Sequence, residues 1–385
     1  MSSRTRDHRN SYTASWTSYH IALSDSDRSY LLLVSPLAPS HPQPGSATAP
    51  GPITFPALSI LLSKVLDSTA VPVPRPVAHD VSGGEGKWHF GWLLLRVPGS
   101  SQTHQPTSLA SVRHELSPGQ LARVELRLGT YLRALHGITN DWFGIPMDKP
   151  TPEPPSVLSF ATLFAASQTG EDGEGDGEDM TPYSWQDTFV LRLEELLEQV
   201  CGDEARKAVP PDHINIDVDE LRRSLCRAIG SFLFDDVEMP RLIWVTGNEE
   251  DVIVSLTPGE GRKQGGEGTA SEGDTEADIA YILPTFGRAL WGDPLMEAWF
   301  LPPGPTAAIS EGYFGGDEDG TLIEFPRHKT KRTWYTVYLA LMVLAEEMSQ
   351  GEGEKMTRAS GRETIRWARS ISPECVEILK NAPCY

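Results

Sequence analysis

Cationic side chains and cysteines are scarce in this 385-residue sequence. Lys and Arg number 33 against 53 Asp and Glu, which gives a formal net charge of −20. Nucleic-acid binding needs clustered cations, so the acidic balance argues against a nucleic-acid partner. The cysteines show no close pairing suited to a zinc site or a redox motif. We therefore expect a reduced, acidic protein and predict a cytoplasmic location.

Long apolar runs are also lacking. No stretch approaches the roughly 20 residues that a membrane-spanning helix needs, so we expect no membrane partner. The segment 1–10 is polar and basic, and no apolar core follows it, which argues against a secretory signal. The sequence shows no nucleophile elbow, no paired-metal motif and no dinucleotide-binding fingerprint. From these absences we predict that the protein binds no metal ion and no cofactor.

Two segments are too acidic and too rich in glycine to repay the entropy of ordering them. They lie near 167–180 and 259–278, and we predict that both are disordered insertions. The second lies between two predicted strands beside the proposed cleft. It can act there as a lid or remain a surface loop, and the sequence leaves both readings open.

The rest of the chain contains apolar residues at the regular spacing of strands and helices. Alternating residues predict a hairpin over Tyr19–Val34 and a strand over Trp88–Val97, and a stripe from Leu58 to Leu66 predicts a helix between them. Four further amphipathic patterns predict helices that begin at Ser117, at Ser184 and at Asp217 and that extend from Trp334. We assign 1–99 to a small lobe of strands and 100–385 to a helical lobe, because a chain of this length exceeds one core.

Two windows carry a resemblance to a known family. The stretch from Pro240 to Val254 reads PRLIWVTGNEEDVIV and is similar to the catalytic loop of fungal aminoglycoside-phosphotransferase-like kinases, which reads close to PRLIHWDLWDGNVFV. The stretch from Ile282 to Glu297 resembles their metal-site segment and matches it from Arg288 onward. The resemblance implies an α+β fold of two lobes, protein-kinase-like, with a β-rich N-terminal lobe and a mainly helical C-terminal lobe.

The residues that carry the chemistry of that family are replaced here. The resemblance places Trp244 at its histidine, Thr246 at its catalytic aspartate, Asp251 at its metal-binding asparagine and Thr285 at its main magnesium carboxylate. Leu33 stands at the lysine that grips the nucleotide phosphates. The glutamate that partners this lysine falls near Phe55. Phosphoryl transfer needs these charges, so we expect that ATP-dependent transfer is lost.

The replaced positions leave several functions open. Leu33, Trp244, Thr246, Asp251 and Thr285 are our candidate ligand-binding residues, in a cleft that is apolar with a few polar groups and is suited to a small organic molecule. Such a pseudokinase can bind that molecule or support a protein partner. The alternatives are a cofactor-free cyclase or isomerase of fungal specialised metabolism, and a residual small-molecule phosphotransferase.

Trp244 and Asp251 each allow two interpretations. Trp244 can stack on a ligand or fill the space that a nucleotide leaves. Asp251 can hold one metal ion with help from Glu249 and Glu250, or lie in a solvated turn, the reading that the sequence favours. For Asp293 we predict a helix N-cap, and for His136 a packed residue at the end of its helix.

Overall fold

The computed structural model describes the secondary structure of residues 3–4, 16–23, 28–36, 53–82, 90–98, 107–146, 184–202, 216–258, 275–283, 288–302, 304–315, 326–349 and 359–383. Its strands are β1 (Ser3–Arg4), β2 (Thr17–Ala22), β3 (Ser29–Pro36), β4 (Arg75–Asp80), β5 (Phe90–Arg96), β6 (Thr107–Ser108), β7 (Arg241–Ile243), β8 (Val252–Pro258), β9 (Thr275–Ile282) and β10 (Leu290–Gly292). Its helices are α1 (Phe55–Ser68), α2 (Leu109–Val112), α3 (Pro118–His136), α4 (Trp185–Cys201), α5 (Val218–Gly230), α6 (Ala307–Phe314), α7 (Pro326–Ser349) and α8 (Ala359–Asn381).

The N-terminal part forms a five-stranded sheet in the order β1-β2-β3-β5-β4. The predicted hairpin is confirmed, because β2 and β3 pair antiparallel from Thr17 opposite Val34 to Ala22 opposite Ser29. The predicted strand that ends near Val97 is β5, and it pairs with β3 along seven positions. Helix α1 begins where the Thr54 side chain accepts from the Ala57 N–H, and it buries its predicted apolar stripe.

The C-terminal part is mainly helical, and its helices begin at the predicted caps. Ser117 and Gln120 form a reciprocal capping box at the start of α3, while Ser184 and Asp217 cap α4 and α5. The buried face of α5 does not extend to Phe232. The helix ends at Gly230, and Phe232 is 63% exposed with a positive φ of 54°.

Two small sheets connect the two parts. Strand β7 pairs with β10, and β8 lies between β6 and β9. Strand β9 begins at Thr275, so it takes the last residues of the predicted insertion 259–278. The remainder of that segment, 259–274, and the whole of 167–180 lie outside the described residues.

The fold prediction is confirmed at the level of lobes: a sheet with one helix is followed by a helical lobe. The first apolar core contains Leu33, Leu62, Leu128 and Trp244, and so joins the sheet lobe to α3 and the central strands. A second core lies among α4, α5, α7 and α8. None of the helices in the described ranges has the length and apolar content that crossing a membrane requires.

Helices α3 and α6 approach each other at two glycines. A Cβ atom on Gly129 would lie 2.1 Å from the Ile309 carbonyl oxygen, and one on Gly312 would lie 1.9 Å from the Leu126 carbonyl oxygen. Each glycine therefore faces the backbone of the other helix. No side chain fits at either position without a shift of the helices.

Substituting either glycine tests this contact. Gly129→Ala and Gly312→Ala should each lower the free energy of unfolding by about 1–3 kcal/mol, because the added methyl group overpacks a rigid contact. Gly119→Ala on α3 is the matched control, since nothing lies within 4 Å of its Cβ position. The control should be neutral or stabilising by up to about 1 kcal/mol. Urea unfolding measures all three, and equal stability of Gly129→Ala and Gly119→Ala would contradict the close approach.

Candidate functional site

The loop between β7 and β8 is the centre of the candidate site. Strand β7 reaches it from the pair with β10, in which Ile243 lies opposite Leu290. Trp244 follows directly, with a side chain that is fully buried in the first apolar core. This position supports the reading in which the indole fills space, because a stacking ligand needs an exposed ring face.

A buried carboxylate is hydrogen-bonded to the start of this loop. Glu297 Oε2 accepts a hydrogen bond from the Trp244 backbone N–H at 2.9 Å and lies 3.3 Å from His136 Nε2. The other ring nitrogen of His136 lies 2.7 Å from the Tyr313 hydroxyl oxygen. Burial raises the pKa of Glu297 above its ordinary value, although the contact with His136 opposes the shift. The loop is thereby tied to α3 and α6, and the packed role predicted for His136 is confirmed.

Gly247 lets the loop turn between two indoles. A Cβ atom there would lie 2.7 Å from Trp244 Cδ2 and 2.7 Å from Trp299 Nε1. Only glycine therefore fits between the two rings. The neighbouring Thr246, which replaces the catalytic aspartate in the resemblance, is 1% exposed.

The acidic end of the loop turns towards α2. Glu249 forms an ion pair with Arg113, whose guanidinium also reaches Glu125, and Glu250 accepts a hydrogen bond from the Ser108 hydroxyl at 3.1 Å. Burial raises the pKa of Glu249 above its ordinary value, although Arg113 opposes the shift. Both acids are therefore engaged with Arg113 and Ser108, and not with a metal ion shared with Asp251.

Asp251 itself ends the loop inside the protein. Its backbone N–H donates to the Asn248 carbonyl oxygen at 3.1 Å, and its own carbonyl oxygen accepts from the Leu283 N–H at 2.8 Å. The residue is fully buried, so the prediction of a solvated turn is wrong for Asp251. The reason is tertiary: β9 and the residue that follows it cover the loop end.

The position that corresponds to the nucleotide lysine lies in the small-lobe sheet. Leu33 pairs with Ser18 on one side and Leu93 on the other, and it is 4% exposed. Phe55, at the expected place of the partner glutamate, packs edge-on against Trp16 with the ring centroids 5.5 Å apart. Both Leu33 and Phe55 belong to the same apolar core as Trp244.

Two acids of the loop have partners within the protein, since Glu249 pairs with Arg113 and Glu250 accepts from Ser108. Leu33, which the sequence resemblance places at a phosphate-binding lysine, is an apolar side chain. Within the described part of the chain, no group of three His, Cys, Asp or Glu residues is placed to hold a metal ion. Thr285 lies outside the described residues.

Contacts between the lobes add residues that the sequence analysis did not identify. Lys64 on α1 donates from Nζ to the Thr139 carbonyl oxygen at 2.8 Å and lies 4.7 Å from the centroid of the Trp291 ring. The Ile282 N–H donates to the Pro72 carbonyl oxygen at 2.8 Å. Lys64 is the only lysine in α1, and this was the available signal for it. The prediction for Asp293 is confirmed, since its side chain accepts from the Leu295 N–H at 2.9 Å.

Comparison with known proteins gives similarity at the level of structures. No family model matches the sequence, and no curated protein matches it. A proposed aminoglycoside phosphotransferase of Ralstonia eutropha JMP134 is 10% identical with a TM-score of 0.47, covering 99% of this chain and 92% of its own. The ADP-bound aminoglycoside phosphotransferase APH(2'')-Ib is 10% identical with a TM-score of 0.42, covering 93% and 90%. At these values the similarity carries no conclusion about the chemistry of this chain.

The titration of Glu297 gives a testable pH dependence. Its pKa in the folded protein is raised above the ordinary value of 4.5, so the folded state holds this proton more tightly than the unfolded state does. The free energy of unfolding should therefore fall, relative to Glu297→Gln, as the pH rises from 4.5 towards the raised pKa. The variant keeps an acceptor for the Trp244 N–H and does not titrate.

Urea unfolding of both proteins across this pH range is the measurement. Glu311→Gln, at an exposed position on α6, is the control and should follow the wild type. Curves for the wild type and Glu297→Gln that stay parallel with pH would show that Glu297 does not titrate differently on folding.

Proposed function

We propose that this chain is a pseudokinase-like binding protein of the fungal aminoglycoside-phosphotransferase-like type, which acts by holding a ligand and not by transferring phosphate. One observation carries the proposal: Leu33 and Trp244, at two positions where the family has charged or polar catalytic groups, are both buried in one apolar core. A nucleotide tail with its ions would have to displace packed side chains there.

The magnitudes favour loss of the reaction. A positioned general base contributes about 10²–10⁴-fold to a rate, and the hydroxyl of Thr246 does not replace a carboxylate in this role. Removal of the phosphate-binding cation and of the metal ligands takes away further electrostatic stabilisation of the transition state. These losses all affect the same step, so we do not expect the protein to catalyse phosphoryl transfer.

The ligand class that fits is a small, mainly apolar organic molecule. The start of the loop at Trp244 lies in the first apolar core, and Thr246 and Asp251 supply two buried polar groups at its middle and its end. Leu33 and Trp244 belong to the proposed set, and Thr285, which lies outside the described residues, is included from the sequence resemblance.

Burial of Asp251 favours one second candidate function. A fully buried carboxylate is a group that enzymes use as an acid or base. A cofactor-free cyclase or isomerase would use Asp251 and Thr246 in this way. It would change the connectivity of its ligand, whereas a binding protein releases the ligand unchanged.

Nucleotide binding provides the first test. Millimolar ATP with magnesium should leave the melting temperature unchanged, because the proposed site lacks the cation and the carboxylates that hold the complex. A bound ligand at 100 times its Kd would stabilise the protein by about 2.7 kcal/mol, which is easily detected. ATP without magnesium is the control for non-specific effects, and a magnesium-dependent rise in melting temperature would restore the kinase reading.

A ligand screen separates binding from catalysis. Small apolar metabolites should raise the melting temperature, and mass spectrometry should recover them unchanged after incubation. The near-isosteric Thr246→Val should weaken binding about tenfold by removing one hydrogen bond from a buried site. A product of altered mass or altered chromatographic retention would favour the enzyme instead, and Thr246→Val would then reduce its rate of formation.

A further inference from the structure

Arg332 has an unused edge of its guanidinium group. Its nitrogens Nε and Nη2 are closed off from solvent, and neither has a hydrogen-bond partner among the described residues. Buried donors are almost always satisfied in folded proteins, and those that carry charge cost the most when they are not. Two such donors on a single side chain therefore call for a specific explanation.

The geometry of the two nitrogens matches one ligand chemistry. Nε and Nη2 lie on the same edge of the planar guanidinium, and their N–H bonds run nearly parallel. This edge binds two oxygen atoms of one carboxylate or phosphate group at once. The donors that lack partners in Arg332 are therefore a complete fork for an oxyanion.

The side chains around Arg332 are mainly basic, as the binding of an anion requires. The first two turns of α7 carry five basic or titratable nitrogen side chains: Arg327, His328, Lys329, Lys331 and Arg332. Cations at a helix N-terminus oppose the helix dipole, so this placement disfavours the isolated helix and favours a bound anion. The accumulation is unusual in a chain with a net charge of −20.

Nearby acids neutralise other members of this cluster. Lys331 pairs with Asp236 at 2.7 Å and Asp293 at 2.6 Å, and Arg327 lies 3.5 Å from Asp236. Arg332 forms no ion pair with any described residue, and burial alone lowers its pKa from the ordinary value. Among the described residues, carboxylates pair with Arg327 and Lys331, and none pairs with Arg332.

Gly304 lies beside the fork. Its φ is +101°, and a Cβ atom there would lie 3.5 Å from Arg332 Nη2. Gly304 therefore places no side chain over the guanidinium. Arg332 as a whole is only half-buried, which places the fork just beneath the surface.

We propose that Arg332, with the basic first turns of α7 around it and Gly304 beside it, forms a binding site for the carboxylate or phosphate group of a small molecule. The anion lies against the Nε–Nη2 edge and replaces the hydrogen bonds that the folded chain does not provide. The site is on the helical lobe and does not depend on the function proposed for the loop between β7 and β8.

Thermal unfolding with added anions tests the site. Inorganic phosphate and acetate, each titrated at constant ionic strength against chloride, should raise the melting temperature along a saturable curve in the wild type. The anion that saturates at the lower concentration identifies the preferred group. Phosphate also stabilises proteins in general by exclusion from their surface, but that effect does not saturate.

Three variants distinguish binding through the guanidinium edge from attraction by positive charge alone. Arg332→Lys keeps the cation and loses the edge, so its apparent affinity should fall at least tenfold. Arg332→Met should lose the saturable part, and without anions its melting temperature should equal or exceed that of the wild type because two unsatisfied donors are gone. Arg223→Met, at an exposed arginine paired with Glu220, should behave like the wild type.

Several outcomes overturn the proposal. Curves without saturation for both anions in the wild type do so, as does an affinity in Arg332→Lys equal to that of the wild type. A lower melting temperature of Arg332→Met without anions, accompanied by an unchanged saturable response, shows instead that Arg332 has a structural role.

Discussion

The carboxylate of Glu297 is the constraint on which the centre of this protein depends. A fully buried carboxylate is tolerated only where hydrogen-bond donors meet it, and here these are the Trp244 backbone N–H and the ring of His136. The donors come from the loop after β7 and from the end of α3, while Tyr313 brings α6 to the same imidazole. None of these elements can move alone without leaving a buried polar group unsatisfied. The indole of Trp244 is consequently held inside the core.

Two acids of the loop after β7 have partners within the protein. Glu249 and Glu250 turn to Arg113 and Ser108, while the small-lobe strand contributes Leu33 to an apolar cluster. In the proposed function, loss of the phosphate cation together with its partner acid is physically coherent, because either charge alone would be costly to bury. The unsatisfied edge of Arg332 lies on the other lobe. The described part of the chain thus combines an apolar interior at one site with a cation that lacks a hydrogen-bond partner on one edge at another.

Local sequence signals predicted the elements well and the tertiary contacts poorly. The capping box at Ser117, the caps at Ser184 and Asp217 and the alternation in β2 and β3 act within a few residues, so they can be read directly. Helix α8 was not predicted, and Pro373 inside it disguises the pattern. The solvated turn expected at Asp251 was wrong, because burial there depends on strands distant in the chain. Glu297 and His136 are separated by 161 positions, a contact that no local pattern reveals.

The pairing of β8 with β9 has a practical consequence for engineering. Its register runs from Val252 opposite Ile282 to Pro258 opposite Thr275, and the contacts lie within the two strands themselves. Lengthening a connection changes its closure entropy only with the logarithm of its length. A reporter domain inserted between Pro258 and Thr275 would therefore add little to this cost, and it would leave the loop that holds Trp244 covalently intact.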